Sequence, residues 1–224
     1  MGGRGGASGI SGDNNDVVDW LDQESKNNAK SELIPIDIEQ YKDWSLEQIE
    51  GRIRTLAHEE LFAFDRNGEL IAAFKGDRNS VTFPEELLNV PDATVTHGHP
   101  KGLKEFGGTF SFADINNMLK SNWKEHRATA SGQGEMNYIM RRTEKADTQG
   151  LRDRINKDYK QLQAKRKYTY ISEYKKAMES VTEKQAKHIA RQKSVGILNA
   201  YYKDTFGQYG FEYIVRKKDY KYNR

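Results

Sequence analysis

The chain of 224 residues contains no cysteine and only four prolines. The absence of cysteine excludes disulfide bonds, thiolate zinc sites and cysteine nucleophiles. Long apolar runs are also missing: no stretch approaches the roughly 18 residues of a membrane-spanning helix, and no signal-peptide stretch follows the start. These absences predict a cytosolic protein that has no membrane partner.

Charge of the two signs is unevenly distributed. Residues 151–224 hold 19 Lys and Arg against 8 Asp and Glu, whereas residues 1–150 hold 17 against 25. The basic half also interleaves its cations with tyrosine, which suits contact with nucleic acid. Its tyrosines recur at helical spacing, however, and such rings are usually buried while the lysines face solvent. We therefore favour docking of the basic half on the acidic half or on a protein partner over nucleic-acid contact.

Composition and periodicity divide the chain into three segments. Residues 1–16 are rich in glycine and serine and are predicted to be a disordered tail. Residues 17–146 alternate strand-like and helix-like patterns, which predicts a mixed α/β (α+β) domain. Residues 147–224 are predicted to be a basic, tyrosine-rich helical extension that ends in a short strand.

Local patterns predict individual elements along these segments. Apolar spacing of three and four residues indicates helices, alternation indicates strands, and Asn67-Gly68 is a typical hairpin turn. The predicted helices are 17–32, 45–58, 84–90, 111–123 and the helical region 147–206. The predicted strands are those of a hairpin over 59–74, then 80–84, 93–100, a hairpin around 132–134, and 211–217.

Two histidines, His97 and His99, end the strand-like run "ATVTHGHP". Alternate side chains of a strand point to one face, so the two imidazoles are expected side by side. Ser111 and Asp114 follow in the Ser-x-x-Asp spacing of a capping box at a helix start. Two imidazoles and a carboxylate are a standard ligand set for hydrolytic Zn2+, with water in the fourth position.

Hydrolysis at zinc also needs a carboxylate that takes a proton from the metal-bound water. The stretch "HEELFAFD" supplies two, Glu59 and Glu60. Strand alternation sets Glu60 on the face of Phe62 and Glu59 on the face of Leu61. We prefer Glu59 and keep Glu60 as the alternative.

In combination, these motifs resemble the JAB/MPN (JAMM) metalloprotease family and, within it, the RadC-like branch. Members carry a strand glutamate, then His-x-His-Pro, a loop and Ser-x-x-Asp, and "HGHP…GTFSFADI" follows that order here. The hairpin "FDRNGELI" is similar to the one that precedes the histidine strand in RadC-type members. Eleven residues separate His99 from Ser111 where the family usually has seven, so this loop carries an insertion.

The resemblance implies a cytidine-deaminase-like mixed sheet flanked by helices, and a role for each motif residue. The implied Zn2+ ligands are His97, His99 and Asp114; the general base is Glu59 or Glu60; and Ser111 donates to the developing oxyanion. The implied activity is hydrolysis of a peptide or isopeptide bond in a peptide or protein substrate. The alternative is a non-enzymatic protein that uses the same scaffold to bind a host or phage protein partner.

Other sites have weaker support in the sequence. The remaining histidines, His58, His126 and His188, lack a partner pattern and are predicted to be solvated or capping residues. A deaminase site needs Cys-x-x-Cys, and neither a nucleophile elbow nor a phosphate-binding P-loop is present. The opening "MGGRGGASGIS" resembles the tails of phage-encoded proteins. That resemblance implies a role in phage assembly or against a host defence, in the bacterial cytosol or the phage particle.

Overall fold

The computed structural model describes residues 32–78, 80–100, 108–130 and 136–217. Within these residues, one sheet of seven strands forms the centre of the fold. The strands are β1 (Ile34–Pro35), β2 (Glu60–Phe64), β3 (Leu70–Lys75), β4 (Thr94–His99), β5 (Glu125–Ala130), β6 (Met136–Arg142) and β7 (Phe211–Lys217). The helices are α1 (Leu46–Ile53), α2 (Glu85–Leu88), α3 (Phe112–Lys120), α4 (Thr148–Met178) and α5 (Glu183–Phe206). The predicted tail, almost all of the helix predicted at 17–32, and the turn at 132–134 lie outside these residues.

The order of strands across the sheet is β1-β3-β2-β4-β5-β6-β7. β4 and β5 run parallel, with α3 between them in the chain, and the other pairs are antiparallel. Parallel neighbours need a long crossover connection, which α3 and the segment before it provide. The mixed α/β class predicted from the sequence is therefore confirmed.

The sheet separates two hydrophobic clusters because its strands alternate their side chains between the two faces. On one face, Phe62 and Phe64 of β2 pack with Ile49 and Ile53 of α1. The other face forms the larger cluster with α3, α4 and α5. Buried members of that cluster include Leu61, Val95, Phe110, Ile115, Trp123, Leu151, Ile155, Leu198, Tyr202 and Phe206.

The C-terminal segment completes this fold. β7 pairs with β6 from Arg142 opposite Phe211 to Met136 opposite Lys217, so it extends the central sheet. Both α4 and α5 contribute apolar side chains to the larger cluster, as expected if the C-terminal half docks on the preceding half. An ion pair joins the two halves, from Arg141 Nη1 to Glu212 Oε2 at 3.0 Å. In this pair the acidic residue belongs to the C-terminal half, which is basic overall, so the pair does not follow the charge asymmetry. Apolar burial and sheet pairing, more than the charge asymmetry, therefore attach this segment.

The face of the sheet that α1 covers also carries a buried network of charged groups. Glu50, 1 % exposed, accepts hydrogen bonds from Arg127 Nε at 2.5 Å and Asn137 Nδ2 at 2.6 Å. Arg127 also donates to Glu125 at 2.7 Å. Buried charges are stable only when they are paired and hydrogen-bonded. This network therefore ties α1 to β5 and β6 beneath the strand that carries the histidines.

Two predictions about elements were wrong. Residues 80–84 form no strand: the chain turns before them, where the Asp77 N–H donates to the Ser80 carbonyl oxygen at 2.9 Å, and Pro84 is the N-cap of α2. The helix predicted over 45–58 ends at Ile53, where the chain turns toward β2. The region predicted to be helical at 147–206 is helical, and it consists of α4 and α5, with Thr182 as the N-cap of α5. Among the described residues, no helix is long and apolar enough to span a membrane.

Candidate metal centre

The end of β4 presents His97 and His99 on the same face of the sheet, as alternation requires. Between them, Gly98 points to the opposite face, toward α1. A Cβ atom at Gly98 would lie 2.6 Å from Cγ2 of Ile53. The glycine therefore allows α1 to pack directly against the strand that holds both imidazoles.

Asp114 approaches the histidines from the first turn of α3. Ser111 is the N-cap residue: its hydroxyl accepts from the Asp114 N–H at 3.2 Å, and Asp114 Oδ2 accepts from the Ser111 N–H at 2.7 Å. This reciprocal pair is the capping box that the Ser-x-x-Asp spacing predicts. The cap thus fixes where the helix begins and where its carboxylate lies.

Three potential ligand atoms converge at this point. His97 Nε2 lies 2.9 Å from His99 Nε2 and 3.2 Å from Asp114 Oδ1, and His99 Nε2 lies 3.5 Å from Asp114 Oδ2. Tetrahedral zinc with bonds of about 2.0–2.1 Å requires ligand atoms about 3.3 Å apart. The three residues could therefore hold a metal ion. Imidazole nitrogen and carboxylate oxygen are ligands for zinc and for other divalent metal ions.

Glu59 lies on the same face as this cluster. Leu61 pairs with His97, so extending the antiparallel register by two residues places Glu59 opposite His99. Burial raises the pKa of Glu59 to about 8; the charge of Asp114 adds to the shift, and His99 opposes it. The Val81 N–H hydrogen-bonds to the Glu59 carboxylate. Glu59 is therefore a buried carboxyl group that interacts electrostatically with two potential ligands.

Glu60 faces the other side of the sheet and is not a candidate base. It forms an ion pair with Arg52 and accepts a hydrogen bond from His58 Nε2 at 2.9 Å. Its neighbours on that face are Phe62 and the side chains of α1. The preference for Glu59 agrees with this arrangement, whereas the alternative assignment to Glu60 was wrong because successive strand residues point to opposite faces.

Ser111 contacts Asp114 with both its backbone and its side chain. Besides the capping contacts, its hydroxyl lies 2.8 Å from Asp114 Oδ2, to which it donates. These contacts hold the Asp114 carboxylate in place. The role of Ser111 as an oxyanion donor stays a prediction.

The cluster places unlike charges in a buried environment. Burial opposes charge on His99, but the hydrogen bond and charge of Asp114 outweigh it and raise the His99 pKa to about 9. Burial also opposes charge on Asp114, but the two histidines hold its pKa well below the ordinary value. Burial lowers the pKa of His97 despite the same carboxylate. In the absence of metal, the cluster therefore holds a protonated His99, a neutral His97 and an ionised Asp114 near pH 7.

The prediction that His126 is a solvated or capping residue was wrong. His126 is fully buried on β5, and its Nε2 lies 3.2 Å from Nδ1 of His97. Rings of Phe83, Phe110 and Trp123 surround it at centroid distances of 5.2–5.4 Å. Burial lowers the pKa of His126 to about 3, so its imidazole is neutral. The parallel pairing of β4 with β5, which no local spacing reveals, creates this contact.

The second nitrogen of His99 also has a defined partner. Nδ1 of His99 donates to the carbonyl oxygen of Gly108 at 2.7 Å. The adjacent Thr109 Oγ1 lies 2.6 Å from the hydroxyl of Tyr213 on β7, which donates to Asn199 Oδ1 of α5 at 2.6 Å. The C-terminal segment therefore helps to hold the backbone that orients His99.

Comparisons of the chain with family models, with characterised proteins and with solved structures give no match.

Proposed function

We propose that this protein is a zinc-dependent hydrolase of the JAB/MPN (JAMM), RadC-like kind that cleaves a peptide or isopeptide bond. The observation that supports it is the convergence of His97, His99 and Asp114 beside the buried Glu59. The order of these residues in the chain also follows the motif of that family. No other pattern in the sequence supplies a nucleophile or a cofactor site.

In the proposed site, His97 and His99 would hold zinc through Nε2, and Asp114 would hold it through a carboxylate oxygen. When bound, zinc lowers the pKa of a water ligand toward neutrality and polarises the carbonyl under attack. His99 must lose its extra proton to act as a ligand, while Nδ1 keeps a proton for the Gly108 carbonyl. Ser111 keeps Asp114 in its orientation through the capping box.

Glu59 is the proton carrier in this proposal. A general base acts best when its pKa is near the working pH, and burial moves Glu59 toward that range. A cation held by the neighbouring ligands lowers this pKa again, because opposite charge favours the ionised carboxylate. Glu59 then accepts a proton from the attacking water and delivers it to the leaving amine. Ser111 is the proposed donor to the oxyanion.

The substrate proposed is a peptide or protein in the bacterial cytosol or the phage particle. The role in phage assembly or against a host defence stays part of the proposal, since its support is the glycine-rich opening of the chain. The alternative is a protein that keeps the metal scaffold and binds a host or phage protein without hydrolysis. We rank a nucleic-acid partner below a peptide substrate and a protein partner. The basic helices α4 and α5 pack apolar side chains into the core, as helices that dock on the rest of the fold do.

An assay with defined probes tests this proposal. The full chain, loaded with one equivalent of zinc, is incubated with a fluorogenic peptide library and with peptides joined through a lysine isopeptide bond. Turnover that disappears on chelation and returns with zinc is the expected result. Stoichiometric zinc without turnover on either class of probe, and with no difference from Glu59→Gln, would favour the binding protein.

A further inference from the structure

We propose that His126 is a positioning residue that sets the tautomer of His97 and so makes Nε2 of His97 available to metal. The inference rests on the proposed metal site, which it deepens by one residue. His126 does not reach the ligand point itself. It acts through its contact with His97, in which Nε2 of His126 lies 3.2 Å from Nδ1 of His97.

The placement of protons explains why this contact matters. A neutral imidazole carries one proton, and a nitrogen that carries it cannot bind a metal. If His97 is to use Nε2 as a ligand, its proton must lie on Nδ1 and needs an acceptor there. The lone pair on Nε2 of His126 is the acceptor within hydrogen-bond distance. Histidine ligands in proteins generally require such a partner for the second nitrogen.

The surroundings of His126 keep it in the form that this role requires. Its ring is completely buried and lies against Phe83, Phe110 and Trp123, so a charged imidazolium would be strongly disfavoured. Its remaining proton then lies on Nδ1. Among the described residues, no hydrogen-bond partner lies close to that nitrogen. The backbone of Asp114 nevertheless interacts with the ring and favours a proton on it. His126 is thus held beside His97 as a neutral imidazole whose Nε2 can accept a hydrogen bond.

A purely structural function explains these observations less well. An apolar side chain would fill a pocket lined by three aromatic rings without leaving a buried polar nitrogen, which costs free energy. Histidine at this position is therefore unfavourable for packing alone. The hydrogen-bonding contact of its Nε2, at 3.2 Å, is directed at Nδ1 of His97, a potential ligand.

Two substitutions separate the hydrogen bond from the packing. His126→Phe keeps an apolar ring in the aromatic surroundings but removes the acceptor. His126→Gln supplies a carbonyl acceptor in place of Nε2. We expect His126→Phe to weaken zinc binding about 10- to 100-fold and His126→Gln to restore most of that loss. Zinc affinity is measured by competition with a chromophoric chelator, and thermal unfolding of the metal-free variants monitors the fold.

A third variant and a direct spectrum complete the test. His58→Phe makes the same exchange at a site on the opposite face of the sheet and should leave zinc affinity unchanged. In the zinc-loaded wild type, imidazole nitrogen NMR should show His97 protonated at Nδ1 and His126 protonated at Nδ1. A proton on Nε2 of His126 in that state would overturn the inference, whether or not the variants fold.

The outcomes also distinguish this inference from the proposed function. If the wild type binds zinc, His97→Ala loses it, and His126→Phe binds as tightly as the wild type, then His126 has no positioning role while the metal site stands. If the wild type binds no zinc, both proposals fall together. Loss in His126→Phe with recovery in His126→Gln supports the positioning role.

Discussion

Nε2 of His97 lies 2.9 Å from Nε2 of His99, with the Asp114 carboxylate 3.2 Å and 3.5 Å from the respective nitrogens. Two nitrogens at this distance hold at most one proton between them. In the metal-free protein that proton lies on His99, whose pKa is raised to about 9. A cation at the same point replaces the proton and uses both lone pairs.

Zinc binding should therefore release protons. His99 is protonated at pH 7 because its pKa in the folded protein, about 9, lies above that pH. Glu59, with a pKa of about 8, is also largely protonated there. Binding requires a neutral His99 and favours an ionised Glu59, so we expect about one to two protons per zinc at pH 7. Calorimetric titration in two buffers of different ionisation enthalpy measures this number.

The sign of the pH dependence follows from the same two groups. Both have folded-state pKa values above pH 7, so raising the pH from 6 to 9 removes protons that compete with zinc, and the affinity should rise. Well above pH 9 the number of protons released by His99 and Glu59 should approach zero. An affinity for zinc that stays constant from pH 6 to pH 9 would contradict the arrangement of charges described above.

The two neighbouring glutamates provide a matched pair for testing the base. Glu59→Gln should leave zinc bound and lower the rate of hydrolysis by about 10²- to 10⁴-fold, since it removes the proton acceptor. Glu60→Gln alters the ion pair with Arg52 on the opposite face and should keep most of the hydrolytic rate. Rates and zinc content are measured on the same preparations. Equal activity of the two variants would exclude Glu59 as the base.

Strand parity explains why the sequence could predict part of this site. Alternation alone placed His97 with His99 and separated Glu59 from Glu60, and the capping-box spacing located Asp114 at a helix start. These features depend on residues close in the chain. His126 was missed because its contact with His97 depends on the parallel pairing of β4 and β5, which joins residues 29 positions apart.

Long-range constraints also account for the errors in the fold. The run "SVTFP" has the composition of a strand, yet the chain turns at its start, where the Asp77 N–H donates to the Ser80 carbonyl oxygen at 2.9 Å. Ser80 and Val81 instead lie close against the backbone of Gly76. Only glycine fits there, because a Cβ at Gly76 would lie 2.1 Å from the Ser80 carbonyl oxygen. Strand propensity alone cannot show that such a close contact replaces pairing in the sheet. The C-terminal helices and the last strand were located more accurately, since Leu151, Ile155 and Leu162 near the start of α4 follow helical spacing and are buried.

Gly98 should be essential to the position of the histidine strand. Gly98→Ala introduces a Cβ only 2.6 Å from Cγ2 of Ile53, so either α1 or β4 must move. We expect destabilisation of about 1–3 kcal/mol and weaker zinc binding. The double variant Gly98→Ala with Ile53→Ala removes the clashing atom and should be less unstable than the sum of the single effects. Additive free energies in urea unfolding would show that the two residues do not compete for space.

The buried network beneath β4 predicts a large effect on stability. Glu50→Ala removes the partner of Arg127 and Asn137, and we expect a loss of about 3 kcal/mol. This lies at the lower end of the range for broken buried pairs, since Glu125 still contacts Arg127. Glu39→Ala removes an exposed pair with Lys42 and should change stability by less than about 0.5 kcal/mol. Similar unfolding free energies for the two variants would contradict this assignment.

The zinc content of the purified full chain tests the central claim most directly. After dialysis against a weak chelator, elemental analysis should find one zinc per wild-type chain and almost none in His97→Ala or His99→Ala, since too few ligands remain. His188→Ala, which alters a histidine on α5 outside the cluster of potential ligands, should retain one zinc. A wild type without zinc after zinc addition, or full occupancy in His97→Ala, would contradict the metal centre formed by His97, His99 and Asp114.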